Sequence, residues 1–563
     1  MHPAAMTPAL AWPRPAAPTL VRPAARTRAG VARLLAVLAA WLAAAALAGA
    51  LAAVLIGPGA DYDLRNYHLY NGFALLHGRV GIDLAVAQLQ SFYAPGLDLI
   101  YAALLGTLNR HPAVLGAVLG LPQGLAGFLA WCLTRRLLTE ATPGRDWIAG
   151  AAALIGVTGA AGVSTFAGAM SEMLPTCCVL GAALLLGTPP SRRACAGAGL
   201  LAGLAVGLKL TAAPFALGLA LAAVLTGGGG RRSAAAFAWF TLAAAGGAAL
   251  SAGAWWAWLY AHYGDPVFPY FNEIFRSRWA APIAGTDTRF LPRDVWQAVA
   301  YPLFWAFRRC ALVSELPLRD PRIALGWAAA LALAGRAVWR RQVASGVVVA
   351  LAVWIVGYGM WEAAFSILRY LVPLEVLSGP LLAAALAPFL ARAPAWRIVP
   401  AAWALAAGLI AVTVYPDWGH APPGPVAVAV RPPEFLAGSL VVLLDPSPMA
   451  YVAAFVPASV RFVGGDNNLV RPGAPDRLAR AVAAAIAAQR GKLWGLEAPA
   501  ESPGAAGATL RAYGLARALG CVRVRSNLDA DAILACPLRR VRRTSRPPVV
   551  RHGPSRPAPP HGA

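Results

Sequence analysis

The sequence predicts a mainly α fold: a polytopic bundle of eleven or twelve transmembrane segments followed by a C-terminal extracytoplasmic α/β domain. Three observations predict it. Of 563 residues, 59% are hydrophobic and only 13% charged, with a mean hydropathy of +0.59; a soluble domain is nearer to half apolar and about a quarter charged. Apolar runs near the length needed to cross a hydrocarbon core, about 20 residues, recur between residues 34 and 415. After residue 420 the pattern changes to short β-rich runs alternating with helical ones.

Residues 1–30, rich in Pro, Ala and Arg, read as a disordered basic cytoplasmic tail. The apolar run 34–56 is too long for the core of a signal peptide and reads as a retained first helix. The membrane part covers 31–420, with a first external loop at 57–93. Further apolar runs fall near 94–108, 113–134, 147–168, 172–187, 195–226, 235–260, 322–339, 343–361, 367–390 and 397–415. The run 195–226 is long enough for two short helices broken at Gly207-Leu208-Lys209. APPGP at 421–425 reads as a linker into an α/β domain over 421–540. There, strands are expected at Leu440–Leu444, Val460–Val463 and Leu493–Leu496, and helices at 475–490 and 507–519. Val522–Arg525 and Ala532–Ala535 are expected to form a closing hairpin. Residues 541–563 form a second disordered basic tail.

A net charge of +24 would suggest nucleic acid in a soluble protein, but its distribution argues against that partner. The arginines concentrate in the tails and in short loops: Arg135/Arg136, Arg192/Arg193, Arg231/Arg232, Arg336/Arg340/Arg341 and Arg392/Arg397. This is the cytoplasmic bias of membrane proteins. It sends the loop at 57–93, Glu172, Lys209, Arg369 and everything after 415 to the far side. One conflict remains: counting both 94–108 and 113–134 as crossings would put Arg135 outside. Alanine and arginine dominate and only Lys209 and Lys492 are lysines, the composition of a GC-rich bacterium. The expected location is therefore a bacterial inner membrane.

Seven cysteines give no metal-binding spacing. Five lie in or beside apolar runs. Cys521 and Cys536 flank the predicted hairpin, and read either as a disulfide in an oxidising compartment or as two buried thiols.

The stretch GADYDLRNYHLYNGFALLHGR, residues 59–79, follows directly on the first helix. Leu69, Tyr70, Phe73 and Leu76 share one helical stripe, with Leu64 and Leu75 opposite, so a helix covered by protein on both sides is the alternative to an interfacial one. Asp61 and Asp63 open an amphipathic helix able to lie at headgroup depth, with His68 beside them. A solvated loop is the plain alternative. Glu172, Lys209 and Arg369-Tyr370 fall at the same face, and ionisable groups at the edges of membrane spans are functional suspects. Lys and Arg can hold a phosphate, and an Asp can deprotonate an acceptor hydroxyl. The D-x-D spacing could instead hold Mg²⁺ or Mn²⁺. Gly264-Asp265-Pro266 reads as a turn; Glu273 and His262 are minor contacts, and His77, His111 and His420 receive no role.

The layout resembles the C-type superfamily of membrane glycosyltransferases. Those enzymes carry an acidic motif in the first external loop, followed by an interfacial helix, as in Asp63–His77. SEMLPTCCVLGAALLL (171–186) resembles their second acidic position. GLAVGLKLTAAPFALGLAL (203–221) resembles a glycine-rich helix ending in a lysine-threonine step. WLYAHYGDPVFPYFNEIF (258–275) resembles an external loop, and LRYLVPLEVL (368–377) an Arg-Tyr-x-x-Pro segment. The resemblance runs from about 34 to 415. It implies a polyprenyl-phosphate-sugar donor, a glycan, lipid or protein acceptor, and Asp63 or Asp61 as base, with Asp63 slightly favoured because it sits nearer the amphipathic helix. Glu172, Lys209, Arg369, Tyr370 and His68 would contact substrate. The sequence departs from the pattern in having no acid directly adjacent to Asp61 or Asp63. A flippase of lipid-linked glycan, or a non-catalytic assembly partner, are the competing readings.

Overall fold

The computed structural model describes residues 28–541 except 170–171, 189, 283–286, 341–342, 436 and 530–532. The expected tails, Ser171 and Arg341 therefore lie outside the described residues, apart from 28–30 and Val541. The fold is mainly helical, with a small sheet near the C-terminus.

Helices α1 (Arg28–Leu55), α2 (Leu69–Leu76), α3 (Gly96–Leu108) and α4 (Pro112–Leu137) lead into α5 (Arg145–Val157), α6 (Ala160–Ser164) and α7 (Met173–Leu186). Next come α8 (Arg192–Leu208), α9 (Ala213–Thr226), α10 (Gly230–Ala248), α11 (Ala254–Tyr263), α12 (Asn272–Phe275) and α13 (Val295–Phe307). α14 (Arg322–Arg340), α15 (Ser345–Ala364), α16 (Val372–Leu390) and α17 (Ala395–Val412) complete the helical part. Among the described residues, six helical stretches are long and apolar enough to cross a membrane: Gly30–Leu55, Pro112–Leu137, Gly230–Tyr263, Ser345–Ala364, Leu368–Leu390 and Ala395–Val412. Gly96–Leu108, Met173–Leu186 and Leu210–Thr226 are apolar but shorter. The expected break in 195–226 falls at Lys209, whose backbone is extended (φ −151°, ψ 113°) between α8 and the short turn Leu210–Ala212.

α3, within the run 94–108, has 13 residues, about 20 Å at 1.5 Å per residue, against a core of roughly 30 Å. Arg33 and Arg135 meet at the same carboxylate, Asp146, with Arg135 Nε 2.6 Å from Oδ1, so these two arginines share one end of the bundle. Leu138, Ile148, Leu390 and Ile398 pack together at this arginine-rich end.

Close helix contacts rest on small residues, because lipid is as apolar as a leucine side chain and provides no hydrophobic drive for association. α1 and α4 run antiparallel. A Cβ on Gly116 would stand 2.4 Å from the Gly49 carbonyl oxygen, and Gly120 and Gly124 abut the Ala45 and Trp41 carbonyls in the same way.

The C-terminal sheet has strand order β3-β2-β4-β8-β5: β2 (Leu440–Leu443), β3 (Arg461–Gly464), β4 (Leu493–Glu497), β5 (Leu515–Arg517) and β8 (Leu534–Arg540). β6 (Val522–Arg523) pairs β8, and β1 (Val430–Arg431) pairs β7 (Arg525–Ser526). β2 lies parallel to β3 and β4; β8 is antiparallel to β4 and β5. Every β2 residue is buried, because both faces are covered. On one face Leu478, Val482 and Ile486 of α18 (Arg477–Ala488) pack on Leu440 and Val442. On the other, Val441 and Leu443 share a core with Leu64, Tyr67 and Tyr70 of the first external loop. The helix expected over 507–519 ends early. α19 spans Ala505–Tyr513, Gly514 takes φ 67°, and the chain turns back into β5.

That shared core overturns the expected interfacial helix. A π-turn at Leu64–His68 precedes α2, and Leu64, Tyr67, Leu69 and Tyr70 are all buried, with only Leu75 and Leu76 exposed at its end. Arg79 and Asp83 fasten this loop to the sheet. They form a bidentate pair (2.7 and 2.7 Å), Arg79 donates to the Ala458 and Val460 carbonyls, and Asp83 accepts from Phe462 N. Leu84 then hydrogen-bonds beside β3 through Phe462 and Gly464.

Gly116→Val should disrupt the α1–α4 contact, costing about 1–3 kcal/mol by overpacking. Thermal unfolding in detergent checks this, with Gly106→Val, where a Cβ meets open space, expected to be neutral.

Candidate functional site

Asp61 begins the helical turn after α1, and its Oδ1 accepts from Leu64 N at 2.9 Å. This cap satisfies one of the free N–H groups of a helix start. Its carboxyl also lines a cleft with Gly59, Ser164, Thr165, Trp418 and His420. Burial raises the proton affinity of Asp61; nearby Asp63 adds to the rise, while His68, Leu64 N and Arg369 oppose it.

Asp63 lies two residues on. Its Oδ2 is 2.6 Å from Arg369 Nη1 and accepts from Tyr67 Oη at 3.4 Å. Arg369 belongs to the 3-10 turn Leu368–Leu371 that opens α16, a turn held by Leu368 N donating to the Val313 carbonyl at 2.7 Å. Glu172, just before α7, forms an ion pair with Lys209. Because α8 stops at Lys209, its ammonium projects from a helix end. Both cations lie near the Tyr370 ring: Lys209 Nζ is 5.9 Å and Arg369 Cζ 5.4 Å from its centre.

The structure therefore brings Asp63, Glu172, Lys209, Arg369 and Tyr370 together at the end of the bundle opposite Arg33 and Arg135. They meet as two ion pairs in direct contact. His68 joins the same group, its Nδ1 2.6 Å from Asp98 Oδ1. Tyr67, Tyr93 and Tyr270 line the group: Tyr67 and Tyr93 meet edge to face, and the Tyr93 and Tyr270 hydroxyls share a hydrogen bond. Glu273 and His262 are exposed and stand outside it. Cys521 and Cys536 are joined by a disulfide within the sheet, distant in sequence from the ionic cluster.

The aspartate pair is engaged within the protein through one oxygen of each carboxylate. Asp61 Oδ1 is taken by a backbone N–H and Asp63 Oδ2 by a guanidinium. Among the described residues there is no group of three His, Cys, Asp or Glu side chains placed to hold a metal.

Several residues escaped the sequence reading. Asp98 is a lone acid in an apolar run, a signal that was available. His420 reaches the Asp61 cleft only through the fold. Glu375, a turn into α16, accepts from Ala161 N and Gly162 N at 2.9 and 2.8 Å, while Asp320 accepts from Ala160 N at 2.8 Å. Arg322 pairs with Asp320 at 2.9 Å and donates to the Ile155 carbonyl at 2.7 Å. This second buried network pins the start of α6 to α16, and so fixes the segment leading to Glu172 relative to Arg369.

No family model matches the chain, and no curated protein matches it. Among solved structures, the chain is similar to an oligosaccharyltransferase from Archaeoglobus fulgidus, crystallised with zinc and sulfate. The identity is 14% over 75% of this chain, with a TM-score of 0.39. The chain spans 62% of that protein's length.

The raised proton affinity of Asp61 sets a sign for stability. A carboxyl held above its unfolded value contributes stability that is present at low pH and lost as pH rises through its folded pKa. Asp61→Asn should therefore unfold at a higher temperature than wild type near neutral pH, and flatten the decline in melting temperature above the ordinary carboxylate range. Melting temperature against pH for both proteins checks this.

Proposed function

We propose that the chain is a membrane glycosyltransferase that moves a sugar from a polyprenyl-phosphate donor to a cell-envelope acceptor at the extracytoplasmic face of a bacterial inner membrane. The observation that supports this most directly is the meeting of Asp63 with Arg369 and of Glu172 with Lys209, from segments far apart in sequence. A phosphate entering between two cations exchanges their carboxylate partners for its own oxygens, and a guanidinium suits that role. Both cations lie near the Tyr370 ring.

Asp61 is the base that takes the acceptor proton in this reading. It lines a cleft, and its proton affinity is raised, which suits a general base near neutral pH. Asp63, held by Arg369, orients the guanidinium and is the alternative base. A flippase reading would place its charges near the bilayer midplane; here they lie at helix ends. The C-terminal α/β unit holds the first external loop in place and caps the site.

The test supplies purified protein with a panel of polyprenyl-phosphate sugars and an envelope extract, and follows release of polyprenyl phosphate. Wild type should release it, and Asp61→Asn should lose roughly 10²–10⁴-fold in rate while remaining at least as stable to heat as wild type near neutral pH. No release from any donor, or unchanged rates in both Asp61→Asn and Asp63→Asn, overturns the proposal.

A further inference from the structure

His68 is 3% exposed, and its two ring nitrogens stand in different situations. Nδ1 donates to Asp98 Oδ1 at 2.6 Å, a carboxylate that is itself 4% exposed in the first turn of α3. Nε2 is buried and has no hydrogen-bond partner among the described residues. A buried polar atom left without a partner costs free energy unless something occupies it. The carboxylate fixes the tautomer, because it can only accept, and so aims the other nitrogen away from α3. The charged and titratable groups around the ring include Asp98 from α3, Asp61, Asp63 and Tyr67 from the segment that carries it, and Lys209 from the α8–α9 junction.

We propose that Asp98 and His68 form a proton-holding dyad whose Nε2–H donates to the phosphate oxygen released when the donor sugar departs. This rests on the glycosyl-transfer reading above. In that step the bond from the anomeric carbon to the phosphate oxygen breaks, and its electron pair stays on the oxygen. A bond to the acceptor oxygen forms, and the acceptor proton passes to Asp61. The donor diester carries one negative charge, and the released monoester carries about −1.5 to −2 near neutral pH. The added charge appears on the phosphate, where a positively charged imidazole is worth most. Asp98 touches neither substrate nor reacting atom; it is a positioning residue that acts through His68.

The electrostatics agree with the geometry. Burial alone would lower the proton affinity of His68, but the Asp98 charge and hydrogen bond, with Asp63, outweigh both burial and the opposing Lys209, and raise it. The imidazolium is then kept to higher pH than in an ordinary histidine and lost as pH rises through this raised value. Once neutral, with Nδ1–H still bound to Asp98, Nε2 has no proton to give.

The test is the pH profile of kcat for polyprenyl phosphate release by the full-length protein, in wild type, His68→Gln and Asp98→Asn. Wild type should show an alkaline limb. His68→Gln should lose that limb and fall roughly 10²-fold, since an amide donates but does not titrate. Asp98→Asn should move the limb to lower pH with KM little changed. If both variants keep the wild-type limb, the dyad is overturned while the transferase reading stands. If wild type releases no polyprenyl phosphate from any donor, both fall together. Should Asp98→Asn fail to fold, the presence or loss of the limb in His68→Gln decides alone.

Discussion

A charge at the end of a membrane helix must find a counter-charge or remain in water. The whole polar end of this protein follows from that constraint. Glu172 and Asp63 are nearly buried, so each would be costly alone; Lys209 and Arg369 make them tolerable. Helices set the pairing because each charged group sits at a helix terminus. α8 stops at Lys209, Glu172 precedes α7, and a 3-10 turn carries Arg369 into α16.

Two supports outside this cluster keep its parts in register. Asp320, Arg322 and Glu375 bind the start of α6 to α16 through backbone N–H groups and carbonyls. A Cβ on Gly159 would collide with the Glu375 side chain at 2.0 Å, so this approach requires glycine there. Arg79 and Asp83 bind the first external loop to the sheet edge at β3, and Arg65 reaches Glu501 at 2.6 Å. The C-terminal unit thus buries the loop carrying Asp61, Asp63 and His68. Its sheet bonds to that loop directly, which connects an apparently separate domain to the chemistry of the membrane part.

Much of the architecture was legible in the sequence because it is written in local patterns. Apolar length marks the long helices, arginine placement marks one end of the bundle, and Lys209 within an apolar run marks a break. The strands at 440, 461 and 493 follow from short runs rich in branched apolar residues. Long-range partnerships were not legible. Nothing local says that Asp98 faces His68, that His420 joins the Asp61 cleft, or that Glu375 caps a helix two hundred residues upstream. The amphipathic stripe of α2 left two placements open for a related reason. Periodicity shows that two faces differ; it does not say whether lipid or protein covers the apolar one. Leu64 on the opposite side was the trace of protein on both. The helix expected to run to 519 stopped at Gly514, where a positive φ ended it.

The most direct measurement is a double-mutant cycle on unfolding free energy between Asp63 and Arg369, using Asp63→Asn, Arg369→Gln and the pair. Contacting residues typically couple by about 0.5–3 kcal/mol. The account predicts a coupling in that range, with the double variant more stable than the sum of the single losses implies. Strict additivity would mean that the two groups do not meet, and would contradict it.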